Sequence, residues 1–520
     1  MKIILYFISI ASIIGLSSCN DFLTEDPKAN VAADKFYTLS TEVRSALNAV
    51  YAGAFSDVNS CNFVWLNETT ADDVAVFINT TQGPVPDRIA LEQLTYHSEL
   101  TVLRSAWAAS YVTISRANEL LERAKQPETD SIVRSYRAEA RFWRAFSYFN
   151  LVRWFGDVPL ITEIVRPDRA NFYPKRDSSA MIYNQIIDDL RFASRYCVKK
   201  KYAHSDTKNG GRVTQAGAMA FLAKVYITMA GYPMNDSRYL TNAMDTLVKI
   251  RTDKAIYGYD IMPVYADIFD FDKYETNTEN MVYIQGAGNE YLKTNMNSFF
   301  YRTTYVRPTK EVAEGTAVFA FDENTPDSIP MRQDLRRATA FKVVGNDGSG
   351  GSIMVEPDAS VTGNNIFIGK WIDFVQKDYP RNDFALMRYS EVVLLYDELV
   401  CMMQDGAKRD AVVTDMLAFR KRGGFYDPIK VKNGSWNELM DEVKLERRRD
   451  LLFEGHRRLD LVRWGTYIAT KKKSLSYQFG TLDNVWDYIN DNHFCLFPIP
   501  LYEFNTNNLL GEQNPGYGGL

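Results

Sequence analysis

Apolar residues recur along much of this chain at the spacing of one face of an α-helix. They fall at positions such as i, i+4, i+7 and i+8, which brings their side chains to the same side of a helix. Four stretches show the pattern: Val43, Leu47, Val50 and Tyr51; Phe142, Ala145, Phe146 and Phe149; Ala218, Leu222, Val225, Tyr226 and Met229; and Val392, Leu395, Tyr396 and Leu399. Amphipathic helices are therefore the predicted main element.

The helix predicted around position 218 also carries small residues. Ala216, Gly217 and Ala220 leave room for a neighbouring helix to approach closely. Alternation of large and small residues suits stacked helical pairs, and without a clean period of about 34 residues such pairs resemble degenerate tetratricopeptide-type units more than a regular solenoid. Ser435, followed by Glu438, is typical of a capping box that opens another helix.

The amino-acid composition changes over residues 231–385. Gly, Asn, Asp, Thr and Tyr crowd this stretch, residues 281–285 suggest an isolated strand, and residues 345–351 hold the Gly and Asn that favour turns with positive φ. Long loops on a helical scaffold commonly carry function. We expect a helical part at 36–230, a loop-rich, ligand-binding region at 231–385 and a C-terminal part at 386–520, folded together as one body.

The first residues predict export and a lipid anchor. Lys2 supplies a positive charge, residues 3–14 form an apolar run too short to span a bilayer, and Leu-Ser-Ser precedes Cys19. This resembles the bacterial lipobox, which implies a signal peptide at 1–18, a lipid on the Cys19 thiol and a lipidated tether at 19–35. An ordinary secretory signal with an incidental cysteine is the alternative.

Charge and hydropathy narrow the class of partner. The 60 Lys and Arg are outnumbered by 65 Asp and Glu, giving a net charge of -5, so nucleic acid is not an expected partner. No second apolar run reaches the length of a membrane span. The predicted lipid is therefore the expected anchor.

Cysteine and histidine usage argues against a metal centre. Cys61, Cys197, Cys401 and Cys495 show no Cys-x-x-Cys spacing, and the chain holds 4 His, so neither structural zinc nor His-based catalysis is expected. No metal and no cofactor are predicted. Buried free thiols are the favoured interpretation, and a disulfide of undetermined pairing is the alternative in an oxidising compartment.

Signatures of catalysis are absent from the sequence. It contains no His-Glu-x-x-His, no Gly-x-Ser-x-Gly, no P-loop and no complete dinucleotide fingerprint. Two carboxylates for glycoside hydrolysis would leave no sequence signature, because folding brings them together. The adjacent acids Asp72 and Asp73 are such a candidate, with the alternatives that they are solvated or cap a helix.

Charged residues are densest over residues 446–465. The arginines of this segment are interleaved with Glu446, Asp450, Glu454 and Asp460, so opposite charges can pair on and between helical faces. A structural ion-pair network is the favoured interpretation, and an anion or nucleic-acid site is the alternative.

The same segment carries a family resemblance. Its Glu-Arg-Arg run, followed by Phe-Glu-Gly-His-Arg and Asp-Leu-Val-Arg-Trp, resembles the C-terminal signature of the SusD/RagB family of nutrient-uptake outer-membrane lipoproteins. Other stretches are similar to further parts of that family, in the same order along the chain. They are residues 21–27, residues 138–145 leading into 153–160, and residues 498–517. Arg458 departs from the pattern, since many relatives hold an aromatic residue there, which concerns packing more than function.

The resemblance implies a mostly α, SusD-like fold in which four tetratricopeptide-like helix pairs support a long irregular loop region with a few short strands. It also implies a lipoprotein of the cell outer membrane, facing the exterior, that captures glycans (oligosaccharides) for a SusC-like TonB-dependent transporter. Family members bind and are not known for catalysis, so no enzymatic activity is expected. Capture of peptides or glycopeptides is the alternative, and a surface glycoside hydrolase is a further one.

A sugar site of this kind would use flat aromatic faces together with carboxylates, amides and arginines. We expect an aromatic platform in the loop-rich region and a facing wall from the N-terminal part. The candidate residues are Tyr291, Tyr301 and Tyr305 for the platform, and Trp65, Asp72 and Asp73 for the wall.

Overall fold

The computed structural model describes most of the chain. The described residues are 36–59, 62–76, 86–168, 172–202, 206, 210–286, 306–313, 318–319, 334–346, 352–355, 366–371, 381–424, 434–480 and 485–518. The predicted signal peptide at 1–18, the lipidation site Cys19 and the tether at 19–35 lie outside them.

Helices make up most of the described secondary structure, and short strands lie between them. The α-helices are α1 (Ser40–Asn59), α2 (Asn62–Val64), α3 (Pro86–Gln93), α4 (Thr101–Arg123), α5 (Ser131–Phe155), α6 (Ser179–Tyr196), α7 (Gln215–Ala230), α8 (Tyr239–Thr252), α9 (Lys254–Tyr257), α10 (Lys310–Ala313), α11 (Arg336–Ala340), α12 (Tyr389–Met403), α13 (Arg409–Arg422), α14 (Trp436–Asp450), α15 (Arg457–Arg463), α16 (Tyr467–Phe479) and α17 (Leu501–Thr506). The strands are β1 (Val74–Val76), β2 (Asn280–Ile284), β3 (Val306–Pro308), β4 (Phe341–Asn346), β5 (Ser352–Val355), β6 (Ile366–Ile368) and β7 (Phe384–Arg388).

The long helices form pairs that stack on one another. α1 packs against α4, α5 against α6, α7 against α8, and α12 against α14. Successive pairs meet through α4 with α5, α6 with α7, and α8 with α12. The prediction of a mostly α fold built from tetratricopeptide-like helix pairs is confirmed. Between the two helices of the first pair, the described residues 62–76 and 86–100 contribute, together with the start of α4, to the candidate site.

The ends of α5 show how local sequence sets an element. The Asp130 carboxylate accepts the backbone N–H groups of Ile132 (2.9 Å) and Val133 (3.1 Å), which satisfies donors that the first helical turn leaves open. Within α5, Phe142 and Trp143 are fully buried. The apolar face predicted there is confirmed, and it packs into the core between neighbouring helices.

Small residues on α7 have the effect predicted for them, although the neighbour is a strand. A Cβ at Gly217 would lie 2.9 Å from Val282 Cγ2 on β2, closer than side-chain atoms normally approach. Gly217 therefore allows α7 to contact β2 directly. The expectation that a helix would fill this space was wrong at this position.

The strands form three small antiparallel sheets: β1 with β3, β2 with β7, and β4 between β5 and β6. The strand predicted at 281–285 is present as β2, but it is paired with β7 and fully buried. Gly345 and Asn346 belong to β4 and not to a flexible turn.

The loop-rich region predicted at 231–385 contains a helix of 14 residues, α8. Its buried face consists of Ala243, Met244, Leu247 and Ile250, and this helical spacing was overlooked beside the surrounding Gly, Asn and Thr. α8 completes the third helix pair. The assignment of this part to loops was therefore wrong.

Apolar residues from the N-terminal, middle and C-terminal parts belong to one hydrophobic core. Cys197, Cys401 and Cys495 lie buried in it with free thiols, and Cys61 lies outside the described residues. Burial raises the pKa of Cys401 to about 12 and that of Cys495 to about 11. The interpretation as buried free thiols is confirmed for these three.

The capping box predicted at Ser435 is confirmed. Ser435 Oγ accepts from the Glu438 N–H at 3.3 Å, and Glu438 Oε2 accepts from the Ser435 N–H at 2.6 Å. The box opens α14, whose last turns carry the densest charge of the sequence.

A buried ionic cluster surrounds the end of α14, with Arg388 at its centre. Arg388 Nε donates to Glu454 Oε2 at 2.7 Å, and Nη2 donates to Asp450 Oδ2 at 3.1 Å. Its third contact is with Glu279, which also pairs with Arg422 at 2.8 Å. Burial alone would raise the pKa of the Asp450 carboxyl, but Arg422 and Arg388 hold it well below its usual range.

Further charges extend this cluster in two directions. Lys370 Nζ donates to Glu454 Oε1 at 2.7 Å, and Arg336 pairs with Glu446 and Asp450. On the other side, Arg447 bridges Asp460 (2.6 Å) and Glu391 (2.7 Å), and Lys224 of α7 lies 2.9 Å from Glu391. We call the whole set the ion network: Lys224, Glu279, Arg336, Lys370, Arg388, Glu391, Arg422, Glu446, Arg447, Asp450, Glu454 and Asp460. The predicted structural ion-pair network is confirmed.

Arg458 lies beside the ion network and has a packing role. It is fully buried, its Nη2 donates to the Cys495 carbonyl at 2.9 Å, and its guanidinium lies 4.4 Å from the Phe497 ring centroid. The arginine at this position thus makes a buried cation–π contact with Phe497.

None of the helices in the described part of the chain combines the length and the apolar character needed to cross a membrane.

We expect Arg388→Met to destabilise the fold by about 3–5 kcal/mol, because it leaves buried carboxylates of the ion network without their partner. Urea unfolding followed by circular dichroism measures this change. Arg238→Met is the matched control, since the Arg238 side chain is 85% exposed and pairs with Asp236. An equal midpoint for both variants would contradict the structural importance of the ion network.

Candidate functional site

Trp65 opens a short π-helix, Trp65–Thr69, that continues directly from α2. Asn67 Oδ1 accepts the indole N–H of Trp154 on α5 at 2.9 Å, which ties this turn to the core. The residues after Trp65 in the turn are buried, whereas Trp65 is half-buried. π-Helical turns occur frequently at functional sites, and here the turn places one indole ring at the surface.

A cleft of about 370 Å³ lies beside this ring. We call it the Trp65 cleft, and it is lined by Asn62, Trp65, Asp87, Arg88, Leu91, Thr101, Val102 and Ser105. The Arg88 guanidinium lies over the Trp65 ring, 4.5 Å from the centroid, and this cation–π contact restrains the indole. The volume falls within the range of small-molecule sites.

Polar groups of the Trp65 cleft are held in place by hydrogen bonds. Asp87 at the start of α3 accepts the N–H (3.1 Å) and the hydroxyl (2.6 Å) of Thr101 at the start of α4. Asn62 Nδ2 donates to Ser105 Oγ at 3.0 Å. An aromatic ring beside amide, hydroxyl and charged groups suits a ligand that has both C–H faces and hydroxyl groups.

Asp72 and Asp73 lie inside the protein, with 1% and 0% of their surface exposed. Both oxygens of Asp72 accept from Arg457, at 2.8 and 2.9 Å, and Arg448 Nε donates to Asp73 Oδ1 at 2.8 Å. Burial alone would raise the pKa of Asp72, but Arg448 and Arg457 hold it below its usual range. Burial raises the pKa of Asp73, and the charge of Asp72 adds to the rise.

These acids are therefore paired with arginines. The alternative that they are solvated is wrong. They anchor residues 65–76, which we call the Trp65 segment, to the end of α14 and the start of α15. Their contact with a ligand stays a prediction.

The β1–β3 pair joins the Trp65 segment to the chain that follows the predicted aromatic platform. Val76 pairs with Val306, and Thr309 donates its N–H to the Asp73 carbonyl and its hydroxyl to the Asp72 carbonyl, each at 2.9 Å. Tyr291, Tyr301 and Tyr305 themselves lie outside the described residues. The described chain resumes after Tyr305 directly against β1.

α16 holds the turn between the π-helix and Asp72. Tyr467 donates its hydroxyl to the Thr70 carbonyl at 2.9 Å, and Lys471 Nζ donates to the Ala71 carbonyl at 2.6 Å. Burial lowers the pKa of Lys471 to about 8. Side chains of α16 thus satisfy carbonyls that would otherwise be buried without partners.

Glu68 and Gly455 connect this turn with the ion network. Glu68 accepts the backbone N–H of Gly455, which has a φ of +80°, and a Cβ there would overlap Phe63 Cε1. Only glycine suits such a position. Burial raises the pKa of Glu68 to about 8, and the charge of Asp73 contributes to the rise.

Sequence reasoning missed four residues that line the Trp65 cleft or anchor the residues beside it: Arg88, Asp87, Arg448 and Arg457. Arg88 stands far from Trp65 in sequence, and no local pattern signals their contact. The arginines of the charged segment were assigned to pairs within that segment, whereas Arg448 and Arg457 pair with Asp72 and Asp73. No group of three or more His, Cys, Asp or Glu among the described residues is arranged to hold a metal ion.

Comparison with known proteins bears on both halves of the chain. A model of the SusD family matches residues 182–517, and a model described as "Starch-binding associating with outer membrane" matches residues 21–227. The chain is 22% identical to SusD-like protein P2 of Formosa agariphila over 530 residues, with 98% of each chain covered.

Two further relatives carry names that describe binding. Starch-binding protein SusD of Bacteroides thetaiotaomicron is 24% identical over 436 residues, covering 75% of this chain and 74% of the relative. The solved structure of surface glycan-binding protein A from Bacteroides fluxus superimposes with a TM-score of 0.70 at 20% identity, covering 92% of this chain and 99% of that one. This last likeness shows a shared fold.

We expect Glu68→Gln to flatten part of the pH dependence of stability. Between about pH 4.5 and pH 8 the folded chain keeps a proton on Glu68 that the unfolded chain releases, so the free energy of unfolding of the parent protein falls as pH rises. Glu68→Gln cannot bind or release this proton. Its free energy of unfolding should therefore rise, relative to that of the parent protein, by on the order of 3 kcal/mol from pH 5 to pH 8.

Urea unfolding at several pH values measures the Glu68→Gln difference. Glu99→Gln serves as the control, because the Glu99 side chain is 69% exposed, and it should follow the parent protein. Parallel pH profiles for Glu68→Gln and the parent would contradict the raised pKa.

Proposed function

The chain belongs to the SusD family, and on that premise we propose that it is a lipid-anchored protein of the outer membrane that captures oligosaccharides at the Trp65 cleft. The observation that carries this proposal is the Trp65 ring, half-buried and restrained by Arg88 beside fixed polar groups. Family members are described as starch-binding and outer-membrane-associated, which supports the class of ligand and the location.

The Trp65 cleft would bind a sugar through an apolar surface and a polar surface. The indole offers a flat apolar face to the C–H groups of a sugar ring, and Arg88 can donate hydrogen bonds to hydroxyl oxygens at the same edge. Because Arg88 and Asp87 are already positioned by contacts within the protein, little side-chain freedom would be lost on binding. Such preorganisation raises affinity.

We assign Tyr291, Tyr301 and Tyr305 to the opposite wall of this site. The pairing of Val306 with Val76 supports the assignment, because it returns the chain to the Trp65 segment immediately after Tyr305. The anchoring of Asp72 and Asp73 by Arg448 and Arg457 keeps β1 in place for that pairing.

Delivery of the ligand to a SusC-like TonB-dependent transporter is the second half of the proposal. A lipid on Cys19 would hold the protein at the outer surface of the membrane, next to such a transporter. A tethered protein presents its ligand at a high effective concentration, so modest intrinsic affinity suffices. The proposed role is binding without catalysis.

A glycan array tests the capture of oligosaccharides. The protein would be the soluble form that starts at residue 20, which keeps every described residue, and a product assay would follow each hit. Binding without product release would support the proposal. Turnover would favour a surface glycoside hydrolase, and silence on all glycans with binding to a peptide array would favour peptide capture.

Trp65→Ala should weaken binding of an array hit by at least about tenfold, which equals 1.4 kcal/mol, as measured by titration calorimetry. Trp436→Ala is the matched control, because Arg409 lies over the half-buried Trp436 ring at 4.6 Å in the same manner, away from the cleft. Equal affinities of the two variants would remove Trp65 from the site.

A further inference from the structure

A second and larger cavity also uses side chains of α4. Its volume is about 590 Å³, and it is lined by residues of α4, of the stretches 159–161 and 172–174, and of α17 and the residues that follow it. We call it the Trp107 cavity. The lining residues that matter here are Trp107, Tyr111, Phe172, Tyr173, Glu503 and Thr506. Neither the sequence motifs nor the Trp65 cleft accounts for it.

Exposed aromatic rings stand at the mouth of the Trp107 cavity. Phe172 is 43% exposed and Tyr173 50%, and their rings meet edge to face at 4.8 Å. Tyr502, 48% exposed, lies close by on α17 and is covered by the Arg104 guanidinium at 3.7 Å. A cluster of exposed apolar rings around a concavity indicates a binding surface, whereas single exposed rings would not.

The inner wall of the cavity is fixed by contacts within the protein. Tyr111 donates its hydroxyl to the Pro159 carbonyl, and Asn507 Nδ2 donates to the Pro174 carbonyl, both at 2.8 Å. Trp107 is buried against Phe155, with ring centroids 5.1 Å apart. The cavity is therefore pre-formed, and these wall carbonyls are already engaged, which disfavours an extended peptide that binds through backbone hydrogen bonds.

Two side chains of the cavity, Thr506 and Glu503, offer acceptors to a ligand. Thr506 gives its hydroxyl hydrogen to the Tyr502 or Glu503 carbonyl, at 3.0 or 3.1 Å, which leaves the hydroxyl oxygen as an acceptor. The Glu503 carboxyl takes a hydrogen bond from the Trp107 side chain, and burial raises its pKa. A carboxylate in the wall disfavours anionic ligands. The complementary ligand is neutral, with several hydroxyl donors and apolar C–H faces.

From these rings, the fixed wall and the Glu503 and Thr506 acceptors, we propose that the Trp107 cavity is a second carbohydrate-binding site, selective for neutral sugars. Because the two rings at the mouth are nearly perpendicular, a sugar ring stacks on one of them, Tyr173 or Phe172, and the other ring lines its edge. The sugar donates hydroxyl hydrogen bonds to Glu503 and Thr506 inside. This inference rests on the proposed function as a glycan-capture protein and extends it to a second site.

α4 connects the two sites. Thr101, Val102 and Ser105 line the Trp65 cleft, and Trp107 and Tyr111 line the Trp107 cavity. At about 1.5 Å of rise per residue, these groups are about 3 to 15 Å apart along the helix axis. A long oligosaccharide that engages both sites gains affinity through effective concentration. The protein should therefore favour long neutral glycans over short ones.

The test compares variants of the soluble form on an array of neutral and acidic glycans. The first variant is Phe172→Ala/Tyr173→Ala, which removes only exposed rings, and Glu503→Gln is a second that keeps the side-chain shape. Tyr202→Ala is the control, because Tyr202 is 40% exposed and lines neither site. Thermal melts establish that each variant is folded.

If the inference is correct, Trp65→Ala keeps residual binding to neutral glycans, and adding Phe172→Ala/Tyr173→Ala lowers that binding at least tenfold. Glu503→Gln should weaken binding of the same glycans severalfold. If Trp65→Ala abolishes all binding while Phe172→Ala/Tyr173→Ala matches Tyr202→Ala, the second site is refuted and the proposed function stands. Silence of the parent protein on every glycan refutes both.

Discussion

The buried ion network is the constraint on which the rest of the structure depends. Arg388, Asp450 and Glu454 have almost no exposed surface, and such charges destabilise a fold strongly unless each finds its partner with good geometry. Their ionic partners come from β7, α11, α13, α14 and segments before β2 and around Lys370. Moving any of these elements away would leave a buried charge without its partner, which destabilises a fold strongly. The network therefore helps to determine how the C-terminal helices, the β2–β7 pair and α7 fit against one another. Apolar packing alone would specify this arrangement less closely.

The run Arg447-Arg448-Arg449 shows how one short segment joins several elements. Successive residues of an α-helix point about 100° apart, so the three guanidinium groups leave α14 in different directions. Arg447 bonds Glu391 and Asp460, Arg448 bonds Asp73, and Arg449 donates to the Val318 carbonyl at 2.7 Å. The same end of α14 thus organises the interior and anchors the segment that carries Trp65. The segment that carries Trp65 is therefore anchored to the same helix that holds the ion network.

α4 gives the two cavities a common support. It is held in the first helix pair by α1 and α5, and its side chains reach the Trp65 cleft at one end and the Trp107 cavity further along. Sites built on a packed helix keep their geometry better than sites built on loops alone. In this protein the helix supplies fixed aromatic and polar groups, while residues of α3 line the Trp65 cleft and residues 159–161 and 172–174 line the Trp107 cavity.

The sequence by itself determined the helices, because the apolar period around Val43, Phe142, Ala218 and Val392 and the capping box at Ser435 are local signals. It also determined that the charges of residues 446–465 are structural, since opposite charges alternate there, and the family through its motifs. Only the tertiary structure decided what lies together. Asp72 and Asp73 pair with Arg448 and Arg457, Arg88 covers Trp65, and Trp107 meets Glu503, in each case across a long separation in sequence. Such contacts follow from how the elements pack, and the spacing of residues along the chain does not predict them.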